Sequence, residues 1–161
     1  MSHLSGLISS EHILLDLNIS SKEQLFDEVG RLFARTDDLS DTLVSSNLLA
    51  REQLASTGLG HGVAVPHGRI VGLKAPVAAF IRLSRPLPFD SPDGNPITMM
   101  VILLIPDNVT QKHLEILSEV AELFSDSAML DKLSTEKKAA TVHKMLSSWL
   151  PTHSAGKPPS R

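Results

Sequence analysis

The run ITMMVILLI, residues 97–105, constrains this chain more than any other stretch. Only Thr98 interrupts it. An almost wholly apolar run of this length suits a central strand with both faces covered, and it is far too short to span a bilayer.

Helical periodicity supplies the cover. Ser20-x-x-Glu23 reads as a capping box. Behind it Leu25, Phe26, Val29, Leu32 and Phe33 recur at helical spacing, which predicts an amphipathic helix over 21–36. Ser40 can cap a second helix to about residue 55, and Thr110 a third to about 125. Helical turns are expected over 128–133 and a final helix over 136–150. Further strand candidates lie at 13–17, 62–65 and 77–84. Helices and strands interleave, so the class is α/β. The connection 85–96, RPLPFDSPDGNP, holds four prolines and reads as hairpin-like, so the sheet is expected to be mixed.

A chain of 161 residues fits one domain, placed over 1–150. The tail PTHSAGKPPSR, 151–161, is rich in Pro, Ser and Gly and is expected to be disordered. There is no cysteine, which removes disulfides, thiol catalysis and Cys-type zinc sites. The net charge of −3 points to no nucleic-acid surface. The opening MSHLSGLISS lacks the charged start and long apolar centre of a signal peptide, so the expectation is a cytoplasmic protein without membrane insertion. No GxxxxGK[ST] or GxSxG pattern occurs.

Three polar side chains then face unexpected ways. At helical spacing Arg51 falls inside the apolar arc of Val44, Leu48 and Ala55. An inward guanidinium needs an anion or a set of acceptors; a structural ion pair, with Glu52 for example, or snorkelling at a helix end is the ordinary alternative. His113 lies on the arc of Leu117, Val120 and Phe124, opposite Glu115, Glu119 and Glu122. It is the third residue of its helix if Thr110 is the cap, beside free backbone N–H groups that attract anions; a satisfied core histidine is the alternative.

His67 is the third. It sits in STGLGHGVAVPHGR, residues 56–69, where Pro66 is expected to end the strand 62–65 and to leave the ring at a sheet edge. Gly58, Gly60 and Gly62 would permit a tight loop against that ring, and Gly68 a close backbone approach; an incidental histidine in a turn-rich loop is the alternative. Together one arginine and two histidines describe a small anion pocket with an imidazole nucleophile. Phosphoryl transfer asks for positioning and charge stabilisation of this kind. A zinc site from His61, His67 and His113 is a less favoured arrangement of the same residues. His3, His12, His143 and His153 read as surface or tail positions.

STGLGHGVAVPHGR, with AREQLASTG at 50–58 and QKHLEILSEVAELF at 111–124, resembles the active-site segments of the enzyme IIA components of the bacterial phosphoenolpyruvate-dependent phosphotransferase system, fructose/mannitol type. The likeness runs over about 8–150. The opening LISSEHILLDLNISSKEQLFDEVGRLFA resembles the nitrogen-related regulatory branch more than the sugar-transport branch. The resemblance implies a single-domain α/β sandwich, with a mixed sheet of about five strands flanked by helices on both faces. It implies that His67 is phosphorylated at Nε2, that Arg51 and His113 neighbour the phosphate, and that Thr57, Gly58, Gly60, Gly62 and Gly68 belong to the supporting loop. No cofactor and no metal are implied. The donor would be an HPr-like phosphohistidine carrier supplied by an enzyme I. The output would be regulatory, towards targets linked to potassium and nitrogen metabolism. His61 departs from the polar residues relatives carry there and stays outside the core set. The alternatives are a sugar-specific IIA protein that passes phosphate to a IIB cysteine, and a metal- or ligand-binding module outside this system.

Overall fold

The described residues, 4–151 of a computed structural model, open with short 3-10 turns and continue through β1 (Ile13–Leu17), α1 (Lys22–Asp37), α2 (Asp41–Leu54), β2 (Gly58–Gly60), β3 (Val63–Ala64), β4 (His67–Ile70), β5 (Val77–Leu87), β6 (Ile97–Pro106), α3 (Gln111–Phe124), α4 (Ser127–Thr135) and α5 (Ala139–Ser148). The expected disordered tail beyond Pro151 lies outside these residues, as do His3 and His153.

The strands form one mixed sheet in the order β1-β5-β6-β3-β2, with β4 also paired to β6. The hairpin-like connection joins β5 to β6 as antiparallel neighbours, whereas β1 runs parallel to β5, and β3 and β4 run parallel to β6. The sheet therefore has six strands where about five were expected. The additional pairing comes from the glycine-rich segment, which folds as β2, β3 and β4.

β6 is buried almost throughout, and its side chains alternate between two cores, as a doubly covered strand requires. Met99, Val101, Leu103 and Ile105 pack with Ile116, Val120 and Phe124 of α3 and Val142 and Leu146 of α5. Met100, Ile102 and Leu104 pack with Leu25, Phe26 and Phe33 of α1 and Val44 and Leu48 of α2. Helices thus flank both faces.

The helix ends follow local chemistry. Ser40 caps α2 by accepting the Leu43 N–H. The cap of α1 is Ser21, one residue later than expected: its Oγ accepts the Gln24 N–H at 3.1 Å, and Gln24 Oε1 takes the Ser20 N–H and hydroxyl. The turns expected at 128–133 are a full helix, α4, because Asp126 caps it through the Met129 N–H. Buried Arg82 anchors its other end, giving Nη1–H to the Leu133 and Glu136 carbonyls while Nε and Nη2 hold the Asp16 carboxylate. The final helix spans only Ala139–Ser148.

His12 is not a surface residue. It is buried, with Nε2 2.6 Å from Asp37 Oδ1 and 3.0 Å from Thr36 Oγ1, and its ring packs on Phe33 at 5.2 Å. His143 is half-buried, with Nε2 3.4 Å from Ser147 Oγ.

The segment around Pro66 departs most from expectation. Val63 and Ala64 face Met99 and Met100, and His67 to Ile70 face Leu103 to Pro106, so β3 and β4 keep one constant offset along β6. Pro66 lacks an N–H and leaves one rung out. Its carbonyl still accepts the Leu103 N–H at 2.9 Å. The line resumes beyond it, and His67 begins a strand rather than following the end of one.

Candidate functional site

Because the register does not slip at Pro66, side-chain alternation carries through it. Val63 and Val65 belong to the core on the α3 face, and Ala64 and Ile70 to the core on the α1–α2 face. His67 and Arg69 follow Val65 on the α3 side. Gly68 turns towards α2, where a Cβ would stand 3.5 Å from the Asn47 Cβ. β2 pairs only with β3, so β4 is left at the sheet margin.

Two helices meet at that margin. Asn47, Ala50, Arg51 and Leu54 come from α2, and Leu114 and Leu117 from α3. With His67 and Arg69 they line an open cleft of about 540 Å³. The α2 end is brought there by the chain that leaves it. Buried Glu52 accepts the Thr57 N–H at 2.9 Å and the Thr57 hydroxyl at 2.6 Å, and the Thr57 carbonyl accepts the Val65 N–H at 3.1 Å. Thr57 therefore ties the last turn of α2 to the strand that leads into His67.

The His67 ring is half-buried, and its Nδ1 lies 2.8 Å from the Val65 carbonyl oxygen. A carbonyl only accepts, so Nδ1 carries the proton and Nε2 of the neutral ring keeps its lone pair. Burial pushes the ring's pKa below the ordinary histidine value; the Val65 hydrogen bond and the Glu52 carboxylate oppose this, and the charges of Arg51 and Arg69 assist it.

The sign of the pH dependence follows. A proton competes with any electrophile for Nε2, so reactivity at His67 should be flat through neutral pH and fall only below the ordinary imidazole value of about 6.5. The folded state also binds its proton less readily than the unfolded chain. The His67 contribution to stability is therefore full above the ordinary value and lost as pH falls below it. NMR titration of the ring checks both, and a midpoint at or above that of a free histidine would contradict them.

Arg51 is half-buried and donates Nη1–H to the Ala55 carbonyl at 2.8 Å, at the end of its own helix. The carboxylate of Glu52 is engaged with Thr57 and lies 3.8 Å from Lys22 Nζ, so the anticipated Arg51–Glu52 pair is not formed. The rest of the Arg51 fork is left for the cleft.

His113 is buried in the first turn of α3. Its Nδ1 accepts the Thr110 N–H at 3.1 Å, which puts the proton of a neutral ring on Nε2. It does not line the cleft; its neighbour Leu114 does. The structure thus brings Arg51 and His67 into one cleft and sets His113 in the helix that forms the cleft's other wall.

The glycines divide. Gly60 and Gly62 have φ of 88° and 80°, with His61 between them at 57°, and this left-handed stretch is the turn from β2 to β3. The His61 N–H is held by Asp93 Oδ2 at 2.9 Å. Gly58 is needed for packing, since a Cβ there would stand 2.3 Å from Ser91 Oγ. Among the described glycines, only Gly68 lines the cleft. Among the described residues no group of three or more His, Asp or Glu is placed to hold a metal ion, and no helix is long and apolar enough to cross a membrane.

Arg69 is the cleft cation that sequence reasoning passed over. Its signal was present as His67-x-Arg69, an alternate pair, but it carries meaning only if β4 is a strand.

Comparison with known proteins gives the family. Residues 6–149 match the family described as "Phosphoenolpyruvate-dependent sugar phosphotransferase system, EIIA 2". The chain is similar to nitrogen regulatory proteins of Bradyrhizobium diazoefficiens, at 34% identity over 89% of this chain and 94% of the relative, and of Pseudomonas aeruginosa, at 31% identity over 91% and 96%. Among solved structures it is similar to nitrogen regulatory protein IIA-Ntr from Neisseria meningitidis, with a TM-score of 0.84 and 45% identity over 90% of this chain and 99% of that one.

Proposed function

We infer the function of this chain from a premise that the family match supplies: it belongs to the EIIA 2 family of the phosphoenolpyruvate-dependent sugar phosphotransferase system. Within that family it acts as a cytoplasmic regulatory phosphocarrier. An HPr-like carrier delivers a phosphoryl group to Nε2 of His67, and the phosphorylation state alters binding to protein targets linked to potassium and nitrogen metabolism. The names of the relatives support the regulatory branch over the sugar-transport branch.

The observation that carries this reading is the Nδ1–H···O bond from His67 to Val65. It fixes the tautomer and leaves the Nε2 lone pair as the nucleophile. In the transfer that lone pair forms the new N–P bond while the N–P bond of the donor's phosphohistidine breaks. The donor ring keeps the electron pair, and no proton need move. The Val65 carbonyl stabilises the partial positive charge that the His67 ring acquires. Arg51 offers its remaining N–H groups to the phosphoryl oxygens.

His113 serves as a helper and not as a second acceptor. Its Nδ1 is engaged with Thr110, and Nε2–H is its one donor. Turned to the phosphoryl oxygens, that donor stabilises charge without becoming a nucleophile. His113→Ala removes both the donor and the bond that His113 Nδ1 accepts from the Thr110 N–H, and should slow phosphorylation roughly 10-fold. His113→Gln should recover part of the rate, since Gln at this helix position accepts from the cap N–H and still donates. Mass spectrometry after incubation with phosphoenolpyruvate, enzyme I and an HPr-like carrier tests the whole reading. One acid-labile phosphate per chain, on a peptide containing His67, is expected. Two per chain, or phosphate on a His113 peptide, contradicts it.

A further inference from the structure

Arg69 stands two residues after His67 in β4, whose pairing with β6 is unbroken from His67 to Ile70. Alternate residues of a strand share a face, and both side chains line the same cleft. Arg69 is exposed, and among the described residues its guanidinium has no hydrogen-bond or ion-pair partner. Arg51, by contrast, has committed an N–H to the Ala55 carbonyl. The charge of Arg69 is nonetheless felt at the His67 ring, whose pKa it helps to lower. A free five-donor fork, carried on a strand in register with the acceptor and reaching into the acceptor's cleft, matches the needs of a dianion on His67.

We propose that Arg69 is a second phosphoryl-binding residue: together with Arg51 it holds the oxygens of the group on His67 Nε2. The inference rests on the reading of His67 as the phosphoryl acceptor. Arg69 moves no proton and forms no covalent bond. It offsets the dianion's charge in the transition state and in the phosphorylated product. A solvated surface arginine would do neither.

The test loads His67 in two ways, from an HPr-like carrier and from potassium phosphoramidate. In the second case the Nε2–P bond forms as the P–N bond of phosphoramidate breaks and ammonia leaves. Wild type, Arg69→Gln and Arg69→Lys are compared by loading rate and by the 31P NMR titration of the phosphohistidine. Arg69→Gln should load about 10-fold more slowly from either donor, and its phosphoryl group should titrate at higher pH because a stabilising cation is gone. Arg69→Lys should restore the titration but only part of the rate, since it keeps the charge and loses the fork.

Carrier-loaded Arg69→Gln with wild-type rate and an unchanged 31P midpoint overturns the inference and leaves the phosphocarrier reading standing. Arg69-dependent loading from phosphoramidate, in a wild type that no HPr-like carrier phosphorylates, sustains the inference and sinks the carrier reading. No phosphate on wild-type His67 from either donor sinks both.

Discussion

His67→Ala should take up no more phosphate from an HPr-like carrier than a carrier-free control. This is the largest effect expected of any single substitution, because the acceptor atom itself is removed. The structure offers no substitute at that place. His61 points from the left-handed turn between β2 and β3 and does not line the cleft, and His113 has its Nδ1 occupied by the Thr110 N–H. The variant should fold: the one hydrogen bond lost is that to Val65, worth about 1 kcal/mol, from a half-buried ring. Thermal unfolding close to wild type with no acid-labile phosphate is the expected pair of results. Transfer at a comparable rate in His67→Ala would show that the acceptor lies elsewhere.

Arg51→Lys should slow single-turnover transfer roughly 10- to 100-fold, the value of one to two well-placed hydrogen bonds to a charged group. The substitution keeps the charge, so long-range attraction between carrier and cleft should change little. What it removes is the ability to do two things at once. Arg51 donates to the Ala55 carbonyl and still has a guanidinium edge free for phosphoryl oxygens. A lysine ammonium that holds one group is drawn away from the other. The effect should therefore appear in the rate at saturating carrier and not in carrier docking. An unchanged single-turnover rate, with circular dichroism showing an intact fold, would remove Arg51 from the reaction.

Much of the architecture was legible in the sequence. The run 97–105 announced a strand covered on both faces, and burial along β6 alternates between the α3–α5 core and the α1–α2 core as such a strand must. Ser40 and Thr110 marked true helix starts, since a hydroxyl before an apolar-periodic stretch has a local reason to cap. Arg51 was recognisable because a cation on an apolar arc is costly and demands an explanation.

What stayed hidden depends on partners distant in the chain. Nothing near His12 announces burial; its carboxylate partner is Asp37, at the far end of α1. The Arg51–Glu52 pair looked plausible from adjacency, yet Glu52 turns to Thr57. The reading of Pro66 as a strand end followed from its missing N–H, but a parallel neighbour on one side tolerates a lost rung when the next carbonyl is still used. That single misplacement of a strand boundary is also why Arg69 went unseen. The glycines were read as a cradle for the ring, while most of them shape the hairpin beside it.

The constant offset of β3 and β4 along β6 bears on which changes of length the segment can survive. A strand side chain changes face with every residue. Losing or gaining one residue between Val63 and His67 would send the imidazole towards Asn47 of α2 and put Gly68 on the α3 side in its place, with Arg69 displaced in the same stroke. Variation in length is safe only upstream, at the turn around His61, where added residues stay outside the ladder and leave the count from Val63 onward untouched. Descendants of this sequence should therefore be free to lengthen or shorten that turn while the five positions from Val63 to His67 remain five.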